Sequence, residues 1–224
     1  MSYQNGPKII TDGLVLCLDA GNPKSYPGSG TAWTDLSRND RNGTLTNGPT
    51  YNSSNGGNII FDGTDDQVLV TGSITTSTAT FCAWIRRNGD QTTYKGILFS
   101  RSTDTSGMNF SNSNQIGYHW NGAPNTYNWN PPLVIPDLAW SMCVISVSAT
   151  FATAYLCQAS GISSATNNVS HSSTTLNNIR IANDSGVVGR YFKGDIAQSL
   201  IYNRALSASE IIQNYNATKG RFRL

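Results

Sequence analysis

The 224-residue chain is long enough to bury one sizeable core, and its composition is polar without being strongly charged. Charged residues make up only 12% and the formal net charge is +2, which excludes the basic stripe of a nucleic-acid-binding protein. No segment approaches the roughly 20 apolar residues of a membrane span. We therefore expect a single domain over residues 1–224, with no nucleic-acid partner and no membrane insertion.

The chain opens with "MSYQNGPKIITDG", which lacks the basic segment and apolar run of a secretory signal. We expect a protein that is made and kept in a cytosol, or released by a route other than secretion.

Short runs rich in β-branched and aromatic residues recur between Asn-Gly and Asp-Gly pairs, which favour tight hairpin turns. Several runs alternate with period two, as in "CVISVS". The pattern predicts an all-β, two-sheet antiparallel sandwich or jelly roll, and long surface loops over 20–57 and 159–177. The predicted strands are 13–19, 58–62, 67–70, 79–86, 96–101, 115–120, 140–148, 151–158, 178–183 and 191–203.

The four cysteines lie in separate apolar runs with no CxxC spacing, so they do not form a recognisable metal site. We expect them to be small buried hydrophobic residues. A cross-strand disulfide between Cys143 and Cys157 is the alternative. No cofactor is expected.

The segment "FDGTDDQ" places Asp62, Asp65 and Asp66 in one turn. Three carboxylates in a turn are ligands that Ca²⁺ accepts, so calcium is one interpretation. A polar hairpin connection of the Asp-Gly type is the other.

The segment "GYHWNGAPNTYNWNPP" (117–132) concentrates aromatic rings among asparagines. Aromatic faces stack on sugar rings and amides bond their hydroxyls, so we predict a glycan or partner-protein site here; plain packing is the third alternative. Catalytic roles for His119 and His171 are not expected, because neither has a nucleophile nearby in the sequence. The predicted ligand-binding residues are Tyr118, Trp120, Asn121, Asn125, Tyr127, Trp129 and Asn130.

One stretch, "RALSASEIIQNYNATKG" (204–220), predicts a C-terminal α-helix. Ser207 and Glu210, the only glutamate, form a capping box, and Leu206 with Ile211 forms a hydrophobic staple. The pattern predicts an apolar side that includes Ala208 and Ile212, and Gly220 as the stop. The following tail, "KGRFRL" (219–224), is expected to be solvated or to dock on a neighbouring subunit.

Several segments together resemble laminin G-like domains of the concanavalin A-like lectin/glucanase superfamily. The closing strand and helix, "KGDIAQSLIYNRALSASEIIQNYNA", carry most of the likeness, and "DGLVLCLDAGN", "IIFDGTDDQVLV", "FCAWIRRN" and "DLAWSMCVISVS" follow the family pattern in order. The likeness covers about residues 13–218. It implies two stacked sheets with the terminal helix covering one end.

Chains combining "LDAGNPKSYPGSGTAWTDLS" with "IYNRALSASEI" look most like virion proteins of tailed phages. The resemblance implies a capsid decoration or a tail or fibre appendage, located in the virion and made in the host cytoplasm. The implied partners are other virion proteins, further copies of the chain in a homo-oligomer, and a host-surface glycan. A free carbohydrate-binding lectin is the alternative.

Glycan hydrolysis is the least favoured function. Glycosidases generally use two carboxylates that flank the scissile bond, and here the only glutamate is committed to a helix cap. The neighbouring Asp65 and Asp66 would point to opposite faces of a strand. We therefore expect a protein that is not an enzyme.

Overall fold

A computed structural model describes residues 7–102, 104–112 and 114–224. Two large antiparallel sheets form a sandwich, which confirms the predicted fold class. In chain order the strands are β1 (Leu14–Asp19), β2 (Ala32–Trp33), β3 (Gly43–Thr46), β4 (Thr50–Asn52), β5 (Asn58–Asp62), β6 (Gln67–Val70), β7 (Ile74–Thr76), β8 (Ala79–Arg87), β9 (Gly96–Arg101), β10 (Thr105–Phe110), β11 (Ile116–His119), β12 (Ser141–Val147), β13 (Ala152–Gln158), β14 (Gly161–Asn167), β15 (Thr174–Leu176), β16 (Ile179–Ile181) and β17 (Lys193–Tyr202). The helices are α1 (Pro124–Tyr127) and α2 (Ala208–Thr218), and 3₁₀ turns span Ser54–Gly56 and Lys219–Phe222.

The eight-stranded sheet runs β14-β13-β12-β8-β17-β5-β4, and β1 also pairs with β17. Strand β17 is long enough to pair with β5 along its first half and β1 along its second. The seven-stranded sheet runs β11-β10-β9-β16-β6-β3-β2, and β7 pairs with β15 in a small separate ladder. Each predicted strand has an observed counterpart within about three residues at either end.

The predicted long loops are partly wrong. The stretch 20–57 contains β2, β3 and β4, and 159–177 contains β14 and β15. These strands are short or lie at a sheet edge, and they carry Gly, Ser and Thr in place of the alternating large apolar residues that indicate a strand in a sequence.

Alternation along each strand assigns its side chains to two faces. In the seven-stranded sheet Tyr118, Met108, Leu98, Ile181 and Val68 are paired across successive strands and face the core between the sheets. The residues between them form that sheet's outer face, where the cleft described below lies.

The outer face of the eight-stranded sheet is covered by α2 and the turn that follows it. Trp84 stacks on Phe222 at 4.2 Å between ring centroids and on Tyr215 at 5.7 Å, and Trp140 packs on Phe222 at 4.6 Å. The helix therefore lies over a sheet face, not over one end of the sandwich as the resemblance implied. Both expectations for the tail are corrected, because Phe222 is 5% exposed within its own chain.

The capping box of α2 is confirmed: the Ser207 hydroxyl accepts from the Glu210 N–H, and the Glu210 carboxylate accepts from the Ser207 N–H. The buried side of the helix is Ile211, Asn214 and Tyr215; Ala208 is exposed and Ile212 is 43% exposed, so that part of the prediction was wrong.

Gly220 does not stop the helix. The chain continues as a 3₁₀ turn, and Arg223 (φ 60°) is the left-handed residue at its end.

All four cysteines are free and buried, as expected. The alternative disulfide is excluded by register, because Cys143 pairs with Leu156 and Cys157 pairs with Met142. Cys143 thus faces the core between the sheets, and Cys157 faces the helix. Burial raises the pKa of the Cys157 thiol to about 12, as expected for an unreactive group.

No helix in the described part of the chain has the length and apolar character needed to cross a bilayer.

Candidate functional site: a cleft on the outer face of the seven-stranded sheet

The predicted aromatic segment separates into buried and accessible residues. Tyr118 and Trp120 are each 1% exposed and pack in the core, so neither ring face can stack on a ligand, and the prediction is corrected for both. Their polar atoms are satisfied internally: the Tyr118 hydroxyl is 3.0 Å from His171 Nε2, and the Trp120 indole N–H donates to the Ser172 carbonyl. Strand alternation causes this, because β11 places Tyr118 on the core side and His119 on the outer side.

The other predicted residues occupy the loop after β11. The Asn121 side chain donates to Ser172 Oγ and to the Ser173 carbonyl, and Trp129 packs partly buried against the core. Asn125 and Asn130 are exposed. Of the predicted set, Tyr127 is the residue that lines the cleft described next.

That cleft encloses about 400 Å³, within the range of small-ligand sites. It lies over the end of the seven-stranded sheet formed by β9, β10 and β11. It is lined by Tyr94, Arg101, Thr105, His119, Gly122, Tyr127, Val187 and Arg190.

The floor of the cleft follows from strand register. Phe99, Gly107 and His119 are direct neighbours across β9, β10 and β11, so they share the outer face. Gly107 (φ +144°) is required here, because a Cβ would lie 2.5 Å from the Leu98 carbonyl oxygen and 3.1 Å from the Phe99 ring. Because Gly107 has no side chain between them, the rings of Phe99 and His119 approach edge to face, with centroids 5.0 Å apart.

A tight turn places Tyr127 above this floor. Asn121 (φ 50°) and Gly122 (φ 61°) reverse the chain after β11. The Thr126 hydroxyl then accepts from the backbone N–H of Trp120 and donates to the Ala123 carbonyl, which fixes the short α1.

Three rings wall one side of the cleft. Tyr127 lies tilted on His119 at 5.2 Å, and Tyr94 meets both edge to face, at 5.3 Å from His119 and 6.0 Å from Tyr127. Tyr94 (φ 68°) comes from the loop before β9, and its N–H donates to the Phe110 carbonyl. Both tyrosines come from loops that rest on the rigid sheet.

An ion-pair cluster lies next to these rings, with the Arg190 guanidinium 4.8 Å from the centre of the Tyr94 ring. The Asp184 carboxylate, with no exposed surface, binds Arg101 through Nε and Nη2 and Arg190 through Nη1 at 2.7 Å. The pKa of Asp184 is lowered: burial alone would raise it, but the bonds from Arg101 and Arg190 outweigh that effect. The cluster is therefore ionised at neutral pH.

His119 is the unsatisfied group of the site. It is 5% exposed, and among the described residues neither ring nitrogen has a hydrogen-bond partner. Desolvation lowers its pKa to about 4, so the imidazole is neutral at pH 7 and offers one donor and one acceptor. Asn109 shares the outer face of β10 with Gly107. It is 1% exposed, and its side-chain amide also has no partner among the described residues.

Sequence reasoning missed Tyr94, Arg101, Asp184 and Arg190, which come from segments about 90 residues apart. The one local signal was the two-residue spacing along a strand, which places Phe99 and Arg101 on the same face of β9, and Gly117 and His119 on the same face of β11.

The acidic turn contains the convergence that calcium would need. Carboxylate oxygens of Asp62, Asp65 and Asp66 lie within 4.8 Å of one another. It also forms the polar connection: Asp62 accepts from the Thr64 N–H, and Asp66 from the Asp62 N–H. These bonds account for the turn without an ion, and we assign no cation there.

An antiparallel sandwich with a ligand-sized cleft on one outer face defines a class of binding-type domains, and the sequence identifies the family. A family model described as the concanavalin A-like lectin/glucanases superfamily, of laminin G type, matches residues 61–212. The chain belongs to this family. A search of curated proteins found no match.

Solved structures share the fold at low identity. Domain 4 of AbnA, an extracellular GH43 arabinanase of Geobacillus stearothermophilus in complex with arabinotriose, superposes with TM-score 0.64 and 15% identity over 91% of this chain and 98% of that domain. Trypanosoma rangeli sialidase in complex with the inhibitor DANA gives TM-score 0.63 and 14% identity over 96% of this chain, which spans only 34% of the sialidase. The botulinum neurotoxin serotype D binding domain gives 0.56 and 14%, over 90% of this chain and 51% of that domain.

Proposed function

We propose that the chain is a non-enzymatic glycan-binding module carried by a virion. The observation that carries the proposal is the cleft, in which two tyrosine rings and a buried histidine with no partner among the described residues converge with two arginines. The fold is the one found in the arabinanase domain described with arabinotriose, which supports an oligosaccharide as ligand.

The chemistry of the cleft suits a sugar. Tyr94 and Tyr127 supply ring faces and edges against which the C–H groups of a pyranose pack. His119 lines the cleft, but both of its ring nitrogens are buried, so a ligand hydroxyl pairs with the neutral imidazole only once the side chains that cover it move aside. The energetic reason is the cost of a buried unpaired polar group, about 1–3 kcal/mol, which a bound ligand would remove.

Hydrolysis is not part of the proposal. Asp184 lies beside the cleft, and two guanidiniums hold its fully buried carboxylate in the ionised form. It therefore cannot act as the protonated acid that glycosidic cleavage requires. Glu210 lies in the cap of α2, which covers the opposite sheet.

The virion setting is supported by the sequence resemblance to tailed-phage structural proteins. In that setting the chain decorates a capsid or forms a tail or fibre appendage, with other virion proteins and further copies of itself as partners. A sandwich that presents a cleft on loops above a rigid sheet suits such a role, because loops can change while the core is retained.

A glycan array probed with the purified chain tests the binding function. We expect selective binding that Tyr127→Ala abolishes without changing the thermal unfolding midpoint by more than a few degrees. Phe151→Ala is the matched control, since Phe151 is a 44% exposed aromatic residue outside the cleft lining. An array on which no glycan binds would overturn the proposal.

Mass spectrometry of purified particles tests the virion role separately. The chain should be present in stoichiometric amounts; particles that lack it would exclude this part of the proposal and leave a free lectin.

A further inference from the structure

We infer that the cleft selects acidic glycans, binding a sugar carboxylate through Arg101 and Arg190. The inference rests on the proposed function and specifies its ligand class. It is carried by the charge balance of the cleft, the unused hydrogen-bond donors of the two arginines, and the aromatic contacts that fix their planes.

The charge balance leaves a positive surplus. Two guanidiniums share one carboxylate, so the cluster of Arg101, Asp184 and Arg190 carries a net charge of +1. The same three groups also act electrostatically on His119, which lines the cleft. A ligand with one negative charge would complete the balance.

The unused donors lie at the cleft. Arg101 binds Asp184 through Nε and Nη2, and its Nη1 has no partner in the described part of the chain. Arg190 uses only Nη1 for Asp184, which leaves Nε and Nη2 available. The side chains are 26% and 22% exposed and both line the cleft, so a ligand can reach them.

Aromatic contacts hold the two forks in place. The Arg190 guanidinium lies 4.8 Å from the centre of the Tyr94 ring, and that of Arg101 lies 5.7 Å from the Phe99 ring. Asp184 anchors both from below. A planar donor fork held in advance matches a planar carboxylate, which accepts two parallel hydrogen bonds.

The sugar ring and its carboxylate would then use different parts of one site. The pyranose would pack against Tyr94 and Tyr127, and its carboxylate would face Arg190 beside them. Since Tyr94 contacts Arg190 and also meets Tyr127 edge to face, the stacking surface and the charge lie next to each other.

The test is an array of matched pairs, in which each uronate- or sialate-containing glycan is printed beside its carboxyl-reduced counterpart, with sulfated neutral glycans as a third set. We expect the carboxylated member of a pair to bind at least about tenfold more tightly than the reduced one, as loss of a charge-assisted hydrogen bond implies. Equal binding within pairs would overturn the inference while leaving glycan binding intact. Equal or tighter binding of sulfated glycans would also overturn it, and no binding anywhere would overturn the proposed function itself.

Variants then assign the effect to the arginines. Calorimetry with the best carboxylated glycan should show about a tenfold loss for Arg190→Gln and a smaller loss for Arg190→Lys, which keeps the charge but not the fork. The matched control is Arg223→Gln, an exposed arginine on the turn after α2, which should bind as the parent does. Wild-type affinity in Arg190→Gln, with an unchanged melting temperature, would overturn the inference.

Discussion

Both outer faces of the sandwich carry clustered aromatic side chains, but one face is covered by the chain itself and the other is open. On the eight-stranded sheet, Trp84 stacks on Tyr215 of α2 and on Phe222 of the turn that follows, and its indole N–H donates to Thr218 Oγ1. On the seven-stranded sheet, Tyr94 and Tyr127 lie beside an open cleft, and His119 has no partner among the described residues.

The two faces differ in how their aromatic side chains are satisfied. Trp84 and Tyr215 have their polar atoms satisfied by the same chain, with the Tyr215 hydroxyl donating to the Gln158 carbonyl. Satisfaction alone does not mark a structural ring, because the indole N–H of Trp33 in the core has no partner among the described residues. A binding site keeps unsatisfied polar atoms at low exposure, which lowers the stability of the free protein and favours the bound state. The predictions below separate the two faces by asking whether a change affects stability or binding.

The largest expected effect is on the covered face. Phe222→Ala should destabilise the fold by about 3–5 kcal/mol, because it leaves a cavity between Trp84 and Trp140. Urea unfolding followed by tryptophan fluorescence measures the change. Phe222→Leu, which refills most of the volume, is the control and should lose much less. A loss below 1 kcal/mol for the alanine variant would show that the tail does not hold the helix on the sheet.

The second effect belongs to the open face and should appear in both measurements. Asp184→Asn removes the anion that holds two guanidiniums together, and we expect a loss of about 2 kcal/mol, below the usual cost of breaking a buried pair because both arginines are partly solvated. Glycan binding should be lost as well, since the forks are no longer positioned. Retained binding with reduced stability would show that Asp184 is purely structural.

The third effect returns to the covered face, at the start of α2. Ser207→Ala should cost about 1 kcal/mol of stability and leave glycan affinity unchanged. Bonds from Arg204 and from the Ser207 N–H lower the pKa of Glu210 to about 2. Its contribution to stability is therefore complete above its ordinary pKa of 4.5 and is lost as the pH falls toward 2.

Urea unfolding at pH 7, 4 and 2.5 checks both statements. In Glu210→Gln the loss of stability between pH 7 and 2.5 should be smaller than in the parent. Adding Ser207→Ala to that variant should cost less than it does in the parent, because the two residues form one network. Simple additivity would contradict the capping box as a cooperative unit.

The helix and most strands were predictable from sequence, but neither the face that the helix and tail cover nor the cleft on the other face was. The helix could be placed because its capping signal, Ser207 with Glu210, is local and spans three residues. The strands could be placed by period-two alternation, which also operates over a few residues. The polar edge strand β14 lacked that signal, since five of its seven residues are exposed or nearly so and carry no apolar alternation.

The cleft depends on long-range register. Arg101 meets Asp184 across 83 positions, and Tyr94 meets Tyr127 only because β9, β10 and β11 are neighbours. The aromatic-rich composition predicted the segment that contains Tyr127, but it also predicted Tyr118 and Trp120 as ligand-binding residues. One step along β11 moves a side chain from the core side to the outer side, and composition does not report that change. Parity along β11 would favour His119 as the outward residue only once the core side was known.

The smallest effect is also the most diagnostic, because it compares the two histidines. His119→Phe removes two unpaired ring nitrogens while keeping the ring contacts, so at pH 7 the variant should be more stable by up to about 1 kcal/mol and should bind glycan poorly. His171 is the matched control: its nitrogens lie 3.0 Å from the Tyr118 hydroxyl and 2.9 Å from the Ser148 carbonyl, so His171→Phe should destabilise the fold.

The pH dependence of stability gives a second readout for His119. With a pKa of about 4 in the folded chain against an ordinary 6.5, His119 binds fewer protons folded than unfolded between these values, so parent stability falls as the pH is lowered through that window. The His119→Phe variant should lose part of this slope, and the remainder belongs to His171, whose pKa burial also lowers. A variant that is less stable and keeps the full slope would mean that His119 is already satisfied in the free protein, and the contrast between the two faces would not hold.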